Sequence, residues 1–192
     1  MDEGRPRTMR RTPTSALLIS AAFAAVQALI FVMVVPITSL LAVSSPPAYA
    51  LVAAVHTAMP LLARVVTRVP GMATFTAAVT GLLTSVVSPI GPIAVVPMVC
   101  AALALDLVLP LHRGRTPSAG RIVLAAAVAG VVLFLVALPV FSPEHLTPPV
   151  LMATLGARLA GESAVAAGVI GVRRLLVRAG AIRGDAHSAS SH

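Results

Sequence analysis

A few strongly polar side chains stand deep inside the apolar runs of this 192-residue sequence, among them Gln27, His56, Asp106, Arg158 and Glu162. Such groups are costly in hydrocarbon, so each marks ligand, proton or partner chemistry unless it is neutralised locally. Arg158 and Glu162 are four apart and share a helical face, so they can pair. Base before acid is the weaker order for such a pair, which leaves room for one to meet a ligand charge while the other holds its orientation. Counted from Pro149 they lie roughly 13–20 Å along a helix, the depth at which a pocket open to the far side would end. His56, in the middle of its run, either bonds a neighbouring helix or reaches the same pocket, because imidazole sheds its proton at little cost near neutral pH. Asp106 lies nearer the basic end of its run, level with Arg64, Arg113 and Arg115, and is expected in a structural ion pair. Any nearby carbonyl can satisfy Gln27.

Enzyme chemistry finds little to work with. No HExxH, GxSxG or CxxC motif is present, and the single cysteine, Cys100, can form neither an internal disulfide nor a Cys-rich metal site. His56, Asp106 and Glu162 fall on three separate runs with Asp106 at a different depth, so no metal centre, catalytic residue or cofactor is expected. All fourteen basic residues other than histidine are arginine. Without lysine the chain cannot be a P-loop ATPase or a Schiff-base enzyme.

The elements carrying these groups belong to lipid. AVILMFWYC residues make up 58% of the sequence and DEKR residues 10%, against about 25% charged residues in soluble domains. So few charges cannot cover a water-facing globule of this length. The net charge of +8 would raise nucleic acid as a partner, but aromatic residues are only 3% and most arginines fall between apolar runs. They read as membrane-orienting charges, and no nucleic-acid partner is expected.

Six runs are long enough to cross about 30 Å of hydrocarbon: residues 16–36, 49–66, 71–88, 92–111, 121–141 and 149–171. The first is too long for a signal-peptide core and further runs follow it, so it is expected to remain as a transmembrane helix. Proline and glycine boundaries (SSPP, RVPG, SPIGP, GRTPSAG, FSPEHLTPP) separate the runs. Arg5, Arg7, Arg10 and Arg11 precede the first run, and Arg64 and Arg68 flank the second turn. Arg113, Arg115 and Arg121 occupy the fourth loop, and Arg173, Arg174, Arg178 and Arg183 follow the last run. The alternate loops contain no arginine. With six spans every basic segment falls on one side, the cytoplasm by the positive-inside rule. The expected fold is an all-α integral membrane protein, a six-transmembrane-helix bundle of the cell membrane with both termini cytoplasmic. Residues 1–14 form a cytoplasmic tail, 15–174 the membrane domain, and 175–192 a second, partly disordered tail.

The first span carries small residues at four-residue spacing, Ser20, Ala24 and Ala28, with Ala21 and Ala25 beside them. Small residues let helices approach closely in lipid, either inside the bundle or against a partner. The third span holds Thr74, Thr76, Thr80, Thr84 and Ser85, whose hydroxyls can bond back to their own helix.

Three stretches give the chain a family likeness. They are SALLISAAFAAVQALIF with its Ala21-xxx-Ala25, ARVVTRVPGMATFTAAVTGLLTSVVSPIGP with its basic Pro-Gly turn, and LGARLAGESAVAAGVIGVRRLLVRAG closing in Ala-Gly. With six spans and both ends inside, the chain resembles the S component, the membrane-embedded substrate-binding subunit of energy-coupling factor (ECF) vitamin transporters. The resemblance implies capture of a small vitamin or related nutrient from outside and its delivery to a T component with two cytoplasmic ATPases. It also implies docking on the T component through Ala21 and Ala25. No ligand residue of the family transfers onto this chain, so Arg158, Glu162 and His56 are candidates on the residue reading alone. Two other classes stay open: a small membrane protein with a structural or regulatory partner role and no small-molecule ligand, and a proton-linked transporter or channel using Glu162 and Asp106.

Overall fold

The computed structural model describes residues 14–86, 88, 91–110, 112, 116–141 and 147–181. Arg5, Arg7, Arg10, Arg11, Arg113, Arg115 and Arg183 lie outside them. Among the described residues all regular structure is helical: α1 (Thr14–Ser44), α2 (Pro46–Ala53), α3 (Ala58–Thr67), α4 (Met72–Thr84), α5 (Val95–Val108), α6 (Ala119–Ala137) and α7 (Pro148–Arg178). Short 3₁₀ turns cover Ala54–Thr57, Gly91–Ala94 and Leu138–Val140.

Among the described residues five segments are long and apolar enough to cross a membrane: Thr14–Ser44, Pro46–Thr67, Gly91–Val108, Ala119–Ala137 and Pro148–Arg178. Helix α4, with 13 residues, is shorter than that and spans only about 20 Å. Helices α1 and α7 are each 31 residues, or about 46 Å, and outrun the expected spans. Helix α1 passes through Pro36 to Ser44. Beyond the proline, Thr38 Oγ1 bonds back to the carbonyls of Val34 and Val35 on its own helix. Helix α7 opens on Pro148 and Pro149, which suit a first turn whose amides have no helical partner.

The second expected span is broken into α2, a 3₁₀ turn and α3. Pro60 has no N–H to return to the His56 carbonyl, and its ring crowds that carbonyl. The backbone tightens over Ala54–Thr57 instead. The orphan amide of Met59 at the start of α3 donates to Gln27 Oε1 of α1 at 3.2 Å, a capping role supplied from another helix.

Helices α1, α4, α5, α6, α7 and the α2–α3 segment pack as a closed ring, each against the next, and α3 also reaches α4. The apolar core lies in the α3 half, where Leu61, Leu62, Val65, Leu105 and Ile122 meet alanines of α4, α5 and α6. Threonines fasten α4 to α1: Thr76 Oγ1 donates to Met72 O at 2.8 Å and lies 3.4 Å from Ser20 O, and Thr80 Oγ1 donates to Ala24 O at 3.2 Å. Leu18, Leu29, Met33, Leu40 and Val43 of α1 stay exposed, an apolar surface suited to lipid.

Candidate functional site

Where the α3 half of the bundle is filled with side chains, the α2 half holds a partly open cavity of about 380 Å³. That is at the small end of the roughly 300–1,000 Å³ typical of small-molecule sites. The C-terminal half of α1, α2 with its 3₁₀ turn, the start of α5 and the end of α6 form its walls. This is the end of the bundle whose connections contain no arginine. Most of the surface is apolar, from Phe31, Val35, Met98, Leu133 and Val136 among others.

Two of the three sequence-derived ligand candidates reach this wall. Arg158 lines it although the residue is only 3% exposed. Its guanidinium carbon lies 5.8 Å from the centre of the Tyr49 ring, within cation–π range. Tyr49 in turn meets Phe141 edge-on at 6.1 Å. The Arg158 Nε has no hydrogen-bond partner. His56 lines it as well, its ring 5.1 Å from that of Phe31, with Nδ1 unpartnered.

Glu162 is 0% exposed and sits behind the wall. Thr57, a wall residue, donates from Oγ1 to Glu162 Oε2 at 2.6 Å, while Oε1 has no partner. Among the described residues no ion pair joins Arg158 to Glu162, so their shared face leads to two different neighbours. Gly130 of α6 makes room for both stems: a Cβ there would lie 2.9 Å from Glu162 Cγ and 3.4 Å from Arg158 Cγ. Gly161 does the same toward α2, where a Cβ would lie 2.7 Å from Ala54 Cβ and 2.8 Å from Leu51 O. Two missing methyl groups therefore hold α7 against both neighbours at the depth of the cavity.

Thr57 and Tyr49 escaped the sequence reading. Tyr49 is the only tyrosine in the chain, an amphipathic ring near a span end, and that was its one available signal. Thr57 gave none, since a threonine in a span usually bonds its own helix.

Asp106 stands apart from the cavity. Its Oδ1 lies 3.0 Å from Arg64 Nε, and its Oδ2 accepts from Thr74 N at 2.9 Å and Thr74 Oγ1 at 2.8 Å. Arg64 also donates to the Pro110 carbonyl. This is the expected structural ion pair, made with Arg64; it ties α3, α4 and α5 together at the arginine-rich end. The proton-path alternative would need Asp106 and Glu162 on one polar route, and each is committed to different partners. Among the described residues no group of three or more His, Cys, Asp or Glu stands together as a metal site.

The small-residue stripe of α1 divides. Ser20 and Ala24 are fully buried against α4, Ala21 is half-buried, and Ala25 is exposed.

Residues 15–132 match the family described as ABC-type cobalt transport system, permease component. A comparison with curated proteins finds no match. Among solved structures, one described as the crystal structure of an S-component of an ECF transporter is similar at 21% identity, over 88% of each chain, with a TM-score of 0.79. The lipid-facing helices, the ring of spans and these two likenesses make this a membrane transport protein with the fold of an ECF S-component, and the chain belongs to the family of ABC-type cobalt transport system permease components.

Proposed function

We propose that this chain is the substrate-binding subunit of an ECF-type importer. It captures a small vitamin or related nutrient from outside and delivers it to a T component with two ATPases. The observation that carries this reading is the cavity of about 380 Å³ at the arginine-free end of an S-component fold, with Arg158 and His56 in an otherwise apolar wall. The positive-inside rule supports six spans with both termini in the cytoplasm, α4 counting as the short third span, and the cavity then opens outward. A protein with a purely structural partner role would be expected to close its core, and a cavity of this size with Arg158 and His56 in its wall counts against that alternative. The substrate is an organic nutrient rather than a bare cobalt ion. In this wall a divalent cation would meet one imidazole, His56, and the repelling guanidinium of Arg158, a poor donor set for a transition metal.

Within the site, Arg158 and His56 are the ligand-contacting groups. Glu162 and Thr57 position them by fixing α7 against the 3₁₀ turn. On α1, Ala25 and the half-buried Ala21 form the docking face for the T component. The test is co-expression of the tagged chain with a T component and two ATPases. Recovery of the four-subunit complex and ATP-dependent nutrient accumulation in vesicles are expected. A chain that purifies folded but captures neither subunit type would overturn the importer role.

A further inference from the structure

We infer that the cavity selects a small ligand with an apolar body and one anionic group of the carboxylate class, seated on Arg158. This rests on the substrate-binding reading above and narrows its ligand.

Among the described lining residues Arg158 is the one carrying a permanent charge. It is nearly fully buried, its Nε is unpartnered, and no ion pair with Glu162 quenches it. Its acidic neighbour on α7, Glu162, accepts a hydrogen bond from Thr57 and is not among the lining residues. The Tyr49 ring supports the guanidinium on one side and does not neutralise it. A guanidinium in this state offers a planar fork of donors that matches a carboxylate in two parallel bonds. The remaining wall is mostly apolar: Phe31, Val35, Met98 and Leu133 favour an apolar body, with His56 and a few hydroxyls between them. A cationic ligand would meet Arg158 with no acid among the described lining residues. A strongly polar neutral ligand would leave most of its hydrogen-bonding groups unsatisfied. Both are selected against, whereas an apolar acid satisfies the free Nε donor of Arg158 and the mostly apolar wall together.

The purified full-length chain in lipid nanodiscs is titrated with three probes of one skeleton: 4-phenylbutyrate, 4-phenylbutanamide and 4-phenylbutylamine. Empty nanodiscs correct for partition into lipid. The acid is expected to bind the wild type about tenfold or more tighter than the amide, because hydrogen bonds to charged groups exceed neutral ones by that order. The amine is expected to bind weakest. In Arg158→Gln the acid's advantage should fall to parity with the amide. If that variant does not fold, the wild-type ratio of acid to amide decides alone. Equal or tighter binding of the amide or amine overturns the anion class, as does absence of acid binding to the wild type at millimolar concentration. Neither result touches the importer role, which stands or falls on capture of the T component and ATPases.

Discussion

Arg64 Nε lies 3.0 Å from Asp106 Oδ1, with the arginine side chain 1% and the aspartate side chain 9% exposed. The pair joins α3 to α5, while Thr74 adds α4 through two hydrogen bonds to the other carboxylate oxygen. Removing one member of a buried pair strands the other, at a cost of about 3–5 kcal/mol. Asp106→Ala should therefore lower the thermal unfolding temperature in detergent sharply. An Arg64→Met, Asp106→Leu double variant should recover part of the loss, because neither charge is then left alone. Thermal unfolding of the two variants beside wild type checks this, and a double variant worse than the single would remove the pair from its structural role.

Close packing at Gly161 gives a second expectation. A methyl group there would meet Ala54 Cβ at 2.7 Å and the Leu51 carbonyl at 2.8 Å, with backbone on one side that cannot step aside. Gly161→Ala should destabilise by roughly 1–3 kcal/mol, the usual cost of overpacking. Gly168→Ala on the same helix has no neighbour within 4 Å of the added methyl and should be neutral or slightly stabilising. Comparing the unfolding temperatures of the two variants is the measurement, and similar losses at both would show that helix approach is not what Gly161 provides.

The two halves of the α1 stripe should respond differently to bulk. Ala24 is buried against α4, and Thr80 bonds to its carbonyl, so Ala24→Leu should unfold the isolated subunit. Ala25 is exposed, so Ala25→Leu should leave the subunit folded while preventing complex formation with the T component, since close helix approach tolerates only small side chains. Melting of the isolated subunit and co-purification of the complex separate the two effects. Full recovery of the complex from Ala25→Leu would leave the stripe with internal packing alone.

Topology makes a further expectation. Reporter fusions after Arg68, in the 113–121 loop and after Arg183 should report cytoplasm, and fusions near Pro46 and Glu144 should report the outside, because arginines occupy alternate connections. The short α4 makes the Arg68 and 113–121 fusions the decisive ones. If α4 failed to cross, these two would fall on opposite sides.

The sequence by itself determined the solvent and the inventory. Hydropathy demanded lipid, arginine placement ordered the connections, and the few polar side chains at depth were nameable because burial in hydrocarbon leaves them few explanations. Asp106 was legible as an ion-paired residue, since a lone acid near a basic end has one cheap solution. Only the tertiary structure decided what each group faces. Arg158 and Glu162 share a helical face by periodicity, yet Glu162 meets Thr57 and Arg158 meets the cavity and Tyr49. Spacing along one helix fixes which residues can be neighbours, whereas the partner taken depends on distances between helices. Those distances are set here by the missing side chains of Gly130 and Gly161 and by the 3₁₀ turn ahead of Pro60, which sets where His56 and Thr57 point. The stripe on α1 divided for the same reason. Four-residue spacing marks a face, but whether α4 or open surface lies opposite is settled only when the ring of helices closes.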